Sequence, residues 1–98
     1  MTANISREKR YKIYRRDGFA CCLCGSGSNL QIHHVIPRGE GGSDFEENLA
    51  TLCAVCHAQI HGYIPLDCPD MSREDMEQML IEYMADFYAE DGGWYPFK

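Results

Sequence analysis

The sequence predicts a small α+β domain organised around bound metal. Three observations carry that expectation. Two Cys-x-x-Cys knuckles, Cys21/Cys24 and Cys53/Cys56, are separated by 28 residues. A β-rich run, Leu30 to Ile36, lies between turn signals and stops at Pro37. Helical patterns flank this centre on both sides.

Ser6 to Arg16 reads as a short helix ended by Asp17-Gly18, where glycine suits the left-handed conformation past a helix terminus. Its apolar stripe is thin, so it is either a solvated charged helix or one that contacts phosphates. Gly39 to Ser43 is a glycine-rich loop, and Phe45 to Leu52 is a connector or a second short strand. Cys53 to His61 opens a short helix closed by Gly62, and residues 63–71 form a loop. A longer helix is predicted over about 72–91. Ser72 caps it, Asp75 stands at the capping-box position, and Met76, Met79, Leu80, Tyr83, Met84, Phe87 and Tyr88 follow a helical period. The core side chains expected from it are Met76, Met79, Leu80, Tyr83 and Phe87. Residues 92–98 carry Trp94, Tyr95 and Phe97, an aromatic tail that either folds back or meets a partner.

Ninety-eight residues suit a single domain, 1–98, with a core small enough to benefit from a metal. No apolar run reaches the roughly 18 residues of a membrane span. The start of the chain is polar and basic, without the apolar centre of a signal peptide, so a reducing, cytoplasmic setting is expected. There, cysteines serve as metal ligands or catalysts more often than as disulfides. The net charge of −6 is unevenly spread. Residues 1–62 sum to +1 and residues 63–98 to −7, and six of the seven basic residues of the first part fall within Arg7–Arg16. A local basic patch can therefore meet phosphates on an acidic chain, with strong salt sensitivity.

The two-residue gap of each knuckle turns both sulfurs toward one ion, and two knuckles complete a closed thiolate tetrahedron of the structural-zinc type. A redox dithiol needs one pair rather than two, and iron–sulfur ligation fits this spacing less well. Cys22 would leave a cramped one-residue gap to Cys24 and is excluded, and Cys68 stands alone. The four histidines are grouped as well. His33 and His34 are adjacent at a strand end, and His57 and His61 are four apart on a predicted helix, one turn along one face. That second spacing suits two imidazoles on one metal.

Taken in order, Arg16-Asp17-Gly18, Cys21-x-x-Cys24-Gly25, Ile32-His33-His34-Val35-Ile36-Pro37, Gly41-Gly42, Asn48-Leu49, Leu52-Cys53-x-x-Cys56-His57 and His61 resemble the HNH endonuclease family, in its four-cysteine bacterial and phage branch. The resemblance covers about residues 10 to 62. It implies a ββα-metal, treble-clef-like fold with flanking helices, in which a hairpin and a helix grip one divalent cation. By that resemblance His33, His57 and His61 are ligands of a catalytic cation, Mg²⁺, Mn²⁺, Ni²⁺ or Zn²⁺, and Cys21, Cys24, Cys53 and Cys56 hold structural Zn²⁺. His34 is the general base, and Asn48 holds the loop and orients His34 by hydrogen bonding. Arg16 and Arg38 are candidates for substrate phosphate, with a solvated loop arginine the alternative for Arg38. The implied substrate is DNA, the implied products carry 5′-phosphate and 3′-hydroxyl ends, and the implied setting is a bacterial or phage-infected cell.

The residue types suit that chemistry. A neutral imidazole can accept a proton from water near neutral pH, and a cation with three protein ligands keeps positions open for a phosphate. Adjacent strand residues point to opposite faces, so His33 and His34 can share a site only where the strand bends or ends. The rival expectation is a zinc-stabilised, non-catalytic DNA- or protein-binding module, an accessory to phage packaging or restriction machinery. A larger protein partner could then dock on the acidic C-terminal helix or the tail.

Overall fold

The computed structural model describes residues 5–42, 44–63 and 72–89. The elements run α1 (Arg7–Arg16), β1 (Leu30–His34), β2 (Leu49–Cys53), α2 (Ala54–Ile60) and α3 (Arg73–Phe87), with single 3-10 turns at Arg38–Glu40 and Glu46–Asn48. This is the expected α+β arrangement, a two-stranded antiparallel sheet with a short helix following its second strand and longer helices on either side. The register pairs Leu30 with Cys53 and His34 with Leu49. Among the described residues, no helix is long and apolar enough to cross a membrane.

Each helix starts as its sequence dictates. The Ser6 hydroxyl accepts from the Lys9 amide, and Ser72 and Asp75 form the reciprocal capping box predicted for α3. The Cys53 thiol accepts from the Cys56 amide at the start of α2, so one side chain both caps the helix and faces the sulfur cluster. The segment Phe45 to Leu52, open between connector and strand, divides into a turn and then β2.

All five residues of β2 are buried. That pattern departs from the alternation of a half-exposed strand, because helices cover both faces. Leu49, Ala50 and Leu52 are fully enclosed, with Ile13 from α1 and Leu80 and Met84 from α3 equally inaccessible. The α3 core face is Met76, Leu80 and Met84, at i, i+4 and i+8. Met79 and Phe87, expected inside, are 41% and 46% exposed. They flank the true stripe, because α3 packs chiefly on the short α2 and so small a partner buries a narrow face. The α3 helix ends at Phe87 rather than near 91, and the aromatic tail lies outside the described residues.

A buried ionic node joins these layers. The Asp17 carboxylate accepts both guanidinium bonds of Arg16 at 2.8 Å, the Thr51 amide of β2 at 3.0 Å and the Tyr83 hydroxyl of α3 at 2.7 Å. Arg16 also donates to the carbonyls of Glu46 and Leu49 and to the Tyr88 hydroxyl, and lies over the Phe87 and Tyr88 rings. Burial alone would raise the Asp17 pKa, but Arg16, Tyr83 and Thr51 more than offset it and hold it below the usual carboxylate value. Arg16 was expected at substrate phosphate. Its side chain is only 7% exposed and its donors are taken up by the fold, so it serves as an internal clamp.

Breaking one side of a buried pair leaves the other charge unmatched. Asp17→Asn should lower unfolding free energy by about 3 kcal/mol, and Tyr83→Phe by about 1–2 kcal/mol, in urea titrations. The folded-state pKa of Asp17 is depressed, so its contribution is present above the unfolded value near 4 and fades as pH falls through the folded value. Asp17→Asn should therefore flatten the acid limb of the stability profile. A variant as stable as wild type at neutral pH would remove the node from this role.

Candidate metal centres and catalytic site

Two metal-competent clusters share α2, one drawing on Cys53 and Cys56 at its start and the other on His57 and His61. The first joins Cys21, Cys24, Cys53 and Cys56, whose sulfurs all lie within 4.8 Å of one another. The first knuckle is folded by Cys21 and Gly25, through Cys21 N–H to the Ser26 carbonyl and Gly25 N–H to the Cys21 carbonyl. The second spans the β2–α2 junction. Amides of Leu23 and Cys56 point at the sulfurs of Cys21 and Cys53, both at 3.4 Å. The Cys24 and Cys53 sulfurs are 3.6 Å apart. A tetrahedral site with a zinc–sulfur bond near 2.3 Å has sulfur–sulfur edges of about 3.8 Å, so the cluster has the size such an ion requires.

The protonation pattern fits as well. Burial opposes the Cys21 thiolate, but backbone donors at Cys24, Cys53 and Leu23 outweigh it and lower its pKa. Burial, and then the Cys21 thiolate, drive the Cys56 thiol strongly upward. Four thiolates this close need a cation to be jointly stable. Cys22 stands apart from the cluster. Its amide bonds to the Thr51 carbonyl, and burial followed by the nearby Asp17 pushes its thiol up to about 12. Cys68 lies outside the described residues.

The second cluster is His33, His57 and His61, each offering a ring nitrogen within 4.8 Å of the others. His33 comes from β1, while His57 and His61 come from successive turns at the C-terminal end of α2. Ring centroids are 5.3 Å apart for His33–His57, 5.2 Å for His33–His61 and 4.7 Å for His57–His61. The Nε2 atoms of His57 and His61 face each other at 3.1 Å. His33 is buried and its Nδ1 has no hydrogen-bond partner, a costly state unless something else occupies that lone pair or proton. Burial first, and then the neighbouring imidazoles, drive the His33 pKa down to about 3 and lower that of His57. Both rings are thus held neutral, the form that ligates a metal. An orphaned buried nitrogen in a group of converging imidazoles fits a divalent cation, and its all-nitrogen donor set suits a transition ion well.

Gln31 was not singled out in the sequence, and the structure gives it a place beside this triad. Its side-chain oxygen accepts from His57 Nδ1–H, which leaves Nε2 as the free donor atom toward His61 and His33. The available signal was strand periodicity, which sets Gln31 and His33 on one face of β1. Exposed Tyr63 stacks on His61 with centroids 5.7 Å apart and completes the surround.

His34 points differently. Its Nε2 lies 2.7 Å from Asp44 Oδ1, so the carboxylate accepts Nε2–H and leaves Nδ1 as the basic atom. Asp44 was also absent from the sequence reading. Its carbonyl accepts from Lys9 Nζ at 2.8 Å, tying α1 to this loop. Strand β1 ends at His34, which answers the difficulty of adjacent residues on opposite faces. His33 and His34 line one cleft of about 170 Å³ together with Glu40, His61 and Glu77. Glu77 belongs to α3, so the long helix forms a wall of the cleft.

Asn48 is fully buried and clamps the loop between the strands. Its Oδ1 accepts from the Ile36 amide at 2.8 Å and its Nδ2 donates to the Ile36 carbonyl at 2.9 Å. The side chain thus continues the strand ladder beyond its last backbone pair, Val35 N–H to Asn48 carbonyl. The same clamp requires Gly42, where a Cβ would stand 1.8 Å from the Ile36 carbonyl oxygen. The imidazole partner seen for His34 is Asp44. Arg38 sits in the turn after Pro37, and its side chain lies outside what is described.

Comparison with known proteins bears on this arrangement. The HNH endonuclease family model matches residues 21–62, spanning both clusters. The chain belongs to the HNH endonuclease family. It is 33% identical over 63 residues to anaredoxin of Nostoc sp., covering 62% of this chain and 83% of that protein. It is 47% identical over 77 residues to the type IV methyl-directed restriction enzyme EcoKMcrA of Escherichia coli, covering 58% of this chain and 28% of the enzyme. It is 36% identical over 52 residues to the CRISPR-associated endonuclease Cas9 of Corynebacterium diphtheriae, covering 49% of this chain and 5% of that protein. No solved structure matches significantly. Membership supports a nuclease-type function and makes the two clusters metal-binding candidates of the expected kind.

Two predictions follow from the clusters. Cys56→Ser should lose tightly held zinc, measured by elemental analysis of the purified chain, with a lower melting temperature. Retention of a full equivalent would show that the sulfurs do not act together. Gln31→Ala should weaken divalent-ion binding at the imidazoles by about tenfold or more in calorimetric titration, because the His57 tautomer is no longer fixed. Unchanged affinity would reduce Gln31 to a surface contact.

Proposed function

We propose that this chain is a metal-dependent DNA endonuclease in which His34 is the general base and His33, His57 and His61 hold one divalent cation. The observation that carries this reading is the cleft shared by His34, His33 and His61, where an imidazole paired with a carboxylate stands beside the three-histidine cluster. A cation bound there would supply Lewis-acid stabilisation to the phosphoryl group and the leaving oxygen. The chain's own residues do the rest. Asp44 fixes the His34 ring through Nε2, and Nδ1 takes the proton from an attacking water. The water oxygen forms the new bond to phosphorus as the bond to the 3′ oxygen breaks, and the leaving oxygen takes up a proton from solvent. The products then carry 5′-phosphate and 3′-hydroxyl ends. Asn48 and Gly42 hold the loop that carries Asp44, so the base is oriented by a rigid frame. The sulfur cluster anchors the strand and helix that deliver the imidazoles, which is the role of structural zinc.

Plasmid cleavage in the presence of Mg²⁺, Mn²⁺, Ni²⁺ or Zn²⁺ tests the assignment. His34→Ala should lower the rate by about 10²- to 10⁴-fold while leaving metal content intact, and Asp44→Ala should lower it less. Cleaved ends should rejoin with ligase without prior enzymatic treatment. If His34→Ala cuts as fast as wild type, His34 is not the base. If wild type cuts with none of these ions, the chain is a zinc-stabilised binding module instead.

A further inference from the structure

The outward face of α1 combines features that the hydrolytic centre does not use. Arg7, Tyr11 and Arg15 follow one another at i, i+4 and i+8, with Lys12 alongside, and all four are exposed. Ile13, the buried residue of the helix, lies on the opposite side. None of these three cations has an ion-pair partner among the described residues. Tyr11 is 55% exposed and Phe19 46% exposed, and their rings meet edge to face with centroids 5.6 Å apart. Phe19 holds this position at φ +56°, a left-handed conformation that bulky side chains rarely adopt. The conformation is held by the bond from the Phe19 amide to the Tyr14 carbonyl at 2.8 Å, and it leaves the ring half-exposed beside Tyr11.

We propose that this face binds an unpaired stretch of DNA, with a base stacked on the Tyr11–Phe19 pair and the backbone phosphates held by Arg7, Lys12 and Arg15. The proposal rests on the DNA-endonuclease reading and deepens it by naming the substrate form. The argument for a single strand is geometric. A duplex offers phosphates and base edges but hides the base faces, so exposed rings find no stacking partner on it. An edge-to-face pair covers at most a single ring face and leaves others available. Three unpaired cations beside open rings make the combination of electrostatic track and stacking platform that single strands use. Lys9, on the flank of the same helix, bonds to the carbonyl of Asp44, the partner of His34. A strand held on α1 is therefore held by an element attached to the catalytic loop.

The test uses the full chain carrying His34→Ala, so that substrate survives, with its metals bound. Fluorescence anisotropy would follow a labelled oligothymidine and a labelled duplex of the same length. The single strand should bind more tightly. Tyr11→Ala and Phe19→Gly should each weaken it by roughly tenfold and change duplex binding much less. Glycine adopts positive φ freely, so Phe19→Gly should keep its fold in thermal melts while losing the ring. Lys12→Gln should weaken both forms and reduce salt dependence. Preference for duplex, unchanged affinity in both ring variants, or an equal fall for both DNA forms would each overturn the proposal. Plasmid cleavage by the His34-intact chain is read separately, so loss of single-strand binding leaves the endonuclease reading standing, and loss of cleavage alone leaves the α1 surface standing.

Discussion

A buried carboxylate must be matched by donors, and Asp17 is matched by three different parts of the chain. Arg16 meets it at the end of α1, the Thr51 amide at the centre of β2 and the Tyr83 hydroxyl on α3. Arg16 extends the same network to the carbonyls of Glu46 and Leu49. Those carbonyls bracket Asn48, the clamp of the loop between the strands. The position of the loop is thus set by an ionic node in the core. Removing a donor would leave a desolvated charge, so the arrangement is held by the penalty for its alternatives as much as by its own strength.

From this node the chemistry divides by direction along β2 and its helix. Toward α2 the chain presents sulfur, with Cys53 capping the helix and Cys56 one turn in. From its middle to its C-cap the same helix presents nitrogen, His57 and then His61, facing His33 of β1. One short helix therefore links a closed thiolate site to an open imidazole site. Rigidity supplied at the first is passed to the second over seven residues. The two donor sets are chemically unlike, thiolate sulfur in one and imidazole nitrogen in the other, so they favour different ions.

The loop between the strands shows how backbone satisfaction and function are joined. Asn48 supplies an acceptor and a donor to Ile36, so polar groups that would be left open where the ladder ends are paired. Gly42 leaves the space for that approach. Asp44 follows on the same loop and takes the Nε2–H of His34. The His34 ring is oriented by a segment whose own geometry is fixed from below.

Much of this was legible in the residues themselves. The knuckle spacing placed four sulfurs together, the i, i+4 pair placed His57 and His61 on one face, and the capping box placed the start of α3, because each depends on local geometry with a short, fixed period. The family resemblance added His33, His34 and Asn48. What only the tertiary structure decided are the pairings between distant segments. Arg16 looked like a phosphate contact because charge is visible in sequence and burial is not. Asp44 and Gln31 carried no motif, and their roles arise from where loop and strand bring them relative to His34 and His57. Met79 and Phe87 matched the helical period yet lie outside the core, because periodicity defines a stripe while the width of the surface beneath it defines how much of that stripe is buried.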